Sequence, residues 1–252
     1  YYAEVKGIPP EKIVSVSIMP CTAKKFECLR PEMKASGYQD VDYVLTTREI
    51  GRMMREAGLD LTEMPDELPD DIMGEYTGAG TIFGTTGGVM EAALRSAYRL
   101  ATGKELENLD ITPVRGLKGI KEAEIDIEGT KVKVAVAHSC GKARELLNKV
   151  ADQLEKEGKC EYQFIEVMAC PGGCVGGGGQ SWGSNMAKRA RRGESLYAED
   201  KSLPRRRSHE NPSVLAVYEK FLEKPNSEKS HKLLHTHYFK RSTVDGKVLP
   251  GE

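Results

Sequence analysis

Tyr162-Gln163-Phe164-Ile165-Glu166-Val167-Met168-Ala169-Cys170-Pro171-Gly172-Gly173-Cys174-Val175-Gly176-Gly177-Gly178-Gly179-Gln180 is the stretch around which the rest of the sequence arranges itself. Tyr162 to Val167 has the β-branched and aromatic content of a strand. It runs directly into Met168-Ala169-Cys170, so the first cysteine lies just past a strand end. Two cysteines then bracket Pro-Gly-Gly, and the six positions after Cys174 hold four glycines and a Gln. Glycine admits positive φ and lets the backbone approach another group closely. The carboxyl end of a strand is where open α/β sheets place their sites.

Working outward, strand and helix patterns alternate. Ile13 to Ile18 is a β-branched run that stops at Met19-Pro20-Cys21, and Val41 to Leu45 is a second short strand. Thr46 or Thr47 can cap a helix through Ile50, Met53 and Met54 that ends at Gly58. An acidic, proline-punctuated loop covers Asp60 to Tyr76. The glycine-rich segment Gly78 to Gly88 leads into a helix over Val89 to Leu100, with Gly103 as its stop. Glu122 to Ala137 reads as a hairpin with Glu128-Gly129 at the turn, Gly141 to Glu157 as an amphipathic helix, and Pro212 to Leu222 as a helix capped by Asn211. This alternation predicts α/β layers with a mainly parallel sheet.

The 252 residues are 39% hydrophobic and 30% charged, with a formal net charge of -1. That suffices for one large domain or two lobes with a real core, and it excludes wholesale disorder. No run of eighteen apolar residues is present, so no membrane span is expected. Near-zero net charge and 6% aromatics give no footing for a nucleic-acid partner. The chain opens on Tyr1-Tyr2-Ala3-Glu4, which reads as ordinary helix with no signal pattern. Six cysteines, at 21, 28, 140, 160, 170 and 174, are too few for a small disulfide scaffold.

Two segments carry chemistry. The Cys170–Cys174 loop can wrap a compact ligand and present N–H groups to it, which suits thiolates on an iron–sulfur cluster. Other readings stay open: a disulfide leaves the glycines unexplained, zinc prefers two pairs of ligands, a redox dithiol prefers Cys-x-x-Cys, and a phosphate loop needs a following Lys-Ser or Lys-Thr. The second segment is Met19-Pro20-Cys21-Thr22-Ala23-Lys24-Lys25-Phe26-Glu27. Cys21 also follows a strand. If the chain turns into a helix there, Lys24 shares its face, favours the thiolate and can hold an anion. A buried thiol in a strand-to-helix turn with solvated lysines is the plain alternative.

Together, "MPCTAKKFE" and "MACPGGCVGGGGQ" resemble two of the three cluster-binding signatures of the [FeFe]-hydrogenase catalytic domain. "GTIFGTTGGVMEAALR" (Gly80 to Arg95) resembles that family's intervening cavity segment, and "RSHENPSVLAVYEKFL" and "SHKLLHTHY" resemble its carboxyl-terminal region. The resemblance implies a two-lobed α/β domain with the active-site cluster between the lobes, residues 1–252 forming part of it. It implies a [4Fe-4S] cubane joined through a cysteine sulfur to a two-iron subsite with CO, cyanide and a dithiolate bridge. On that pattern Cys21 and Cys170 ligate the cubane and Cys174 bridges cubane and two-iron subsite. Lys24 hydrogen-bonds a cyanide, the Pro20 turn supports the same ligand, and Met19, Met168 and Phe83 wall the subsite against water. Glu27 takes a supporting ion pair.

The implied activity is reversible H2 oxidation, with electrons passing through iron–sulfur clusters to ferredoxin, a flavin subunit using NADH, or a formate-oxidising subunit in a multi-subunit complex. A cubane takes four thiolates, and the matched motifs supply three. The family's "TSCCP"-type signature, which carries the fourth ligand and a proton-relay cysteine, does not occur in this sequence. Cys140 is the best internal substitute, and Cys28 is expected to pack. The expected arrangement is a carboxyl-terminal part of a larger catalytic subunit, inactive in isolation, in an anaerobic cytoplasm. Two other readings are a non-catalytic iron–sulfur assembly relative and a sensory hydrogenase; the short stretch after Tyr238 is expected to leave no room for a signalling module. The basic runs Arg189–Arg192 and Arg205–Arg207 read as solvated faces or as docks for an acidic electron partner. His231, His235 and His237 read as a packing segment despite metal-like spacing, and Val244 to Glu252 as a hairpin-like tail.

Overall fold

Two small sheets, each ending at a cysteine loop, organise the chain. The computed structural model describes residues 1–70 and 72–238. In order the elements are α1 (Tyr2–Lys6), β1 (Val16–Met19), α2 (Lys24–Glu27), β2 (Tyr43–Thr46), α3 (Thr47–Glu56), α4 (Gly78–Thr81), α5 (Gly88–Thr102), β3 (Ile120–Ile127), β4 (Thr130–His138), α6 (Cys140–Glu157), β5 (Phe164–Met168), α7 (Met186–Ser202), α8 (Pro212–Val217) and α9 (Glu228–Leu234). The expected tail over Val244 to Glu252 lies outside the described residues.

The first sheet is the parallel pair β1–β2, registered from Val16↔Tyr43 to Met19↔Thr46. The first strand begins later than its β-branched run, because the Asp42 carboxylate accepts the Ser15 N–H at 2.7 Å and no ladder forms before that point. Thr46 caps α3 through a complete capping box with Glu49. The Thr46 N–H, the Lys25 ammonium and the Thr46 hydroxyl hold the Glu49 carboxyl down to about 2.

The second sheet has the order β3-β4-β5, antiparallel then parallel. The hairpin turns at Glu128-Gly129, both at positive φ, the geometry of a two-residue turn that matches strand twist. The central strand β4 buries Val134 to Ala137 completely. Alternation sends Val134 and Val136 to a core with Met90, Leu94, Ile111 and Val114, and Ala135 and Ala137 to one with Leu146 and Tyr162. Helices α5 and α6 therefore cover opposite faces. Among the described residues, parallel pairing is confined to β1–β2 and β4–β5.

Helix α5 has no side-chain cap of its own; Gly87 stands at its N-cap. The Glu166 carboxylate, reaching over from β5, accepts from Gly87 N at 2.7 Å and from Met90 N at 2.8 Å. Asn211 caps α8 as its sequence predicts, but the helix gives way at Val217 to a π-turn over Tyr218–Leu222.

Helix α7 carries few apolar residues to mark it in the sequence. It is seated by a buried ionic cluster. Arg95, wholly buried, uses all five of its N–H groups: Nε on Leu109 O, Nη1 on Asp200 Oδ1 and Arg206 O, Nη2 on Glu91 Oε1 and Asp200 Oδ2. Arg115 adds two bonds to Glu91, and Arg206 adds one to Asp200. These partners hold the Asp200 carboxyl below its ordinary range against the opposing pull of desolvation. Removing one member of such a cluster leaves charge buried without a counterpart. Arg95→Leu is therefore expected to destabilise the protein by about 3–5 kcal/mol, read as the change in unfolding free energy in a denaturant titration.

Candidate metal centre

Strand ends and glycine placement build the site. β1 ends at Met19, so Pro20 and Cys21 leave the carboxyl edge of the first sheet; β5 ends at Met168, so Cys170 leaves the carboxyl edge of the second. The glycine run then carries the second loop onto the first. Gly179 N donates to Pro20 O at 3.0 Å, and Arg48 N donates to Gly179 O at 3.2 Å. A β-carbon at Gly177 would stand 2.0 Å from Pro20 O. Between the cysteines, Gly172 and Gly173 have φ of 84° and 91°, and a β-carbon at Gly173 would meet the Met168 sulfur and Thr86 N at 2.7 Å each. Those two glycines are dictated by backbone conformation and by the thioether above them.

Cys21, Cys170 and Cys174 converge. Cys174 is itself exposed, but desolvation by the surrounding loop and the negative charges available at Cys21 and Cys170 push its thiol up, and the Lys24 ammonium draws it back down. All six cysteines are free thiols, which removes the disulfide reading. The three sulfurs are not packed tightly enough for one ion. Among the described residues, the only groups with three ligand atoms within 4.8 Å of one another are Glu105-His209-Glu210 and Glu91-Asp110-Asp200. Arginines already occupy both. Thiols close enough to feel one another yet too far apart to share one ion fit a multi-iron cluster.

The remaining candidates fall around this trio. Lys24 opens α2, pairs with Glu27 at 2.6 Å as the motif anticipated, and reaches Cys174 with its charge. Met19 and Lys24 line a cavity of about 200 Å³ with Glu27 and Cys28. Phe83 is partly exposed in the turn Ile82–Gly84, which packs on the turn Cys174–Gly176. Cys28 is buried and donates to Lys25 O, the packing role expected of it. Cys140 is exposed, with its sulfur 3.9 Å from Ala169 O.

Of the two basic runs, one is structural. Arg205 pairs with Glu75, Arg206 with Asp110 and Asp200, and Arg207 with Glu105 and Glu210. In the other, Arg192 donates to Val175 O at 2.8 Å, directly behind Cys174. In the histidine segment all three imidazoles are exposed: His231 and His235 meet edge to face, and His237 O accepts from Arg30. Sequence reasoning did not find His138, which is buried at the end of β4 and accepts the Gly172 N–H on Nδ1 at 3.1 Å. Its signal was its position at a strand terminus beside the cysteine strand.

Residues 1–178 match the model of the iron only hydrogenase large subunit, C-terminal domain, and residues 186–241 that of the iron hydrogenase small subunit. The chain is 51% identical to the NADP-reducing hydrogenase subunit HndD of Solidesulfovibrio fructosivorans over 97% of its own length and 41% of that protein's. It is 44% identical to iron hydrogenase 1 of Clostridium pasteurianum, over 95% and 42%. It is also 34% identical to cytosolic iron-sulfur assembly component 3 of Mus musculus, over 94% and 50%. The chain thus spans half or less of the length of these relatives. Its fold superposes on the [FeFe]-hydrogenase HydA1 of Chlamydomonas reinhardtii with a TM-score of 0.76 and 41% identity, covering 94% of this chain and 66% of that one. No helix among the described residues is long and apolar enough to cross a membrane. With the large-subunit model matched over most of its length and a small-subunit stretch following in the same polypeptide, the chain belongs to the iron-only hydrogenase family.

Proposed function

We propose that this chain is the carboxyl-terminal part of the catalytic domain of an [FeFe]-hydrogenase, and that Cys21, Cys170 and Cys174 hold its H-cluster. The observation that carries this reading is the convergence of three free thiols from two sheets with one ammonium, Lys24, acting on the last of them. When bound, the group supplies an open iron site for H2 and a cubane that conducts electrons. Cys21, Cys170 and Cys174 would hold this group through their thiolates. Lys24 balances negative charge beside Cys174, with Glu27 fixing its ammonium. The Pro20 turn supports the same side of the site. Met19, Met168 and Phe83 would line it with soft or apolar atoms.

The fourth cubane ligand and the cysteine that delivers protons would come from sequence outside these 252 residues. This is consistent with the small share of the relatives' length that the chain spans. Electrons would pass to a partner protein or subunit, in keeping with the resemblance to a subunit of an NADP-reducing hydrogenase.

An anaerobic infrared spectrum of the full-length protein, matured in its host, tests the reading. Sharp bands of iron-bound CO and cyanide are expected, and Cys174→Ser should abolish them. Iron and sulfide without those bands would overturn the hydrogenase function in favour of a cubane-only protein of the assembly-component kind.

Gly177→Ala places a methyl group against Pro20 and should force the two loops apart, at about 1–3 kcal/mol. Iron content of the purified protein is expected to fall well below that of Gly141→Ala, whose new methyl group meets open space.

A further inference from the structure

His138 ends β4, register-matched with Met168 of β5, and is buried. Both ring nitrogens are committed. Nε2 lies 3.1 Å from Leu117 O, a carbonyl that can only accept, so Nε2 carries the proton. Nδ1, left with its lone pair, accepts the Gly172 N–H at 3.1 Å. On the other side of that residue, Gly172 O accepts from Thr86 N at 3.0 Å. Gly172 is thus held at both of its hydrogen-bonding groups, midway between Cys170 and Cys174. Amides that point at cluster or thiolate sulfur stabilise added negative charge and raise the reduction potential. An amide tied to an imidazole is withheld from that role.

We propose that His138 is a positioning residue for the cluster loop: its Nδ1 takes the Gly172 N–H, fixing the path from Cys170 to Cys174 and keeping this amide from the cluster sulfurs. The proposal rests on Cys170 and Cys174 being cluster ligands. It adds a residue that lies outside both cysteine motifs and contacts no ligand sulfur.

Two substitutions separate the two ring nitrogens. His138→Asn keeps an acceptor near the Nδ1 position and loses the Leu117 tie. His138→Gln keeps a donor near the Nε2 position and loses the acceptor for Gly172. The experiment is an EPR-monitored reductive titration of the full-length protein, expressed without maturation of the two-iron subsite so that only iron–sulfur clusters are present. Iron and sulfide are assayed alongside. A cluster potential displaced upward, or a cluster lost, in His138→Gln but not in His138→Asn is expected. Wild-type potentials in His138→Gln would overturn the proposal, as would equal displacement or equal cluster loss in both variants. If the wild-type protein itself carries no iron–sulfur cluster, the ligand assignment fails instead, and that result is distinct from either.

Discussion

The contact between Gly177, Gly179 and the Pro20 carbonyl is the constraint from which the site follows. A strand end can present a cysteine, but two strands in different sheets present theirs to one place only if the connecting backbone lies in direct contact. Side chains keep neighbouring backbones apart by the width of at least a methyl group, and at Gly177 a methyl group would fall inside the Pro20 oxygen. The glycine run therefore does more than add flexibility. It is a close-packed surface made of backbone, and its N–H and C=O groups are used: Gly179 bonds to Pro20 on one side and to Arg48 on the other. Cys21 and Cys174 come together because that seam is closed.

The seam is supported by polar groups buried between α5 and α7. Arg95 spends every donor it has, on two carboxylates and two carbonyls, and ties α5 to α7. Helix α7 in turn places Arg192 on Val175 O and the Arg189 stem against Gly172 and Gly176. The same helix lies within the stretch matched by the small-subunit model. A segment of that kind here packs against the large-subunit cysteine loop, through Arg192 on Val175 O.

Legibility in the sequence tracked the range of the interaction. The hairpin turn, the caps at Thr46 and Asn211, and the helices α5 and α6 are encoded within a few residues, and each lies close to where its pattern places it. The cysteine trio was legible because the motifs around Cys21 and Cys170 are long and specific. What the sequence did not show depends on partners far along the chain. Helix α7 has few apolar residues and is fixed by Arg95, over a hundred positions earlier. Arg205, Arg206 and Arg207 look like a solvated patch until their carboxylates are seen. Strand β1 is shorter than its β-branched run because a side chain, Asp42, ends the ladder. His138 is marked only by its place at a strand terminus, since its partner Gly172 is thirty-four positions away.

Glu166 draws a temporal consequence from a spatial one. The amino-terminal turn of α5 is closed by a carboxylate that lies 79 and 76 positions later than the amides it binds. As the chain leaves the ribosome, the Thr85–Met90 corner emerges long before its cap. Domains emerge amino-terminal part first during synthesis, so this corner stays frayed until β5 has been made. That strand also brings Met168 and Cys170. The carboxylate that closes the first turn of α5 and the loop that would ligate iron are therefore delivered by one strand.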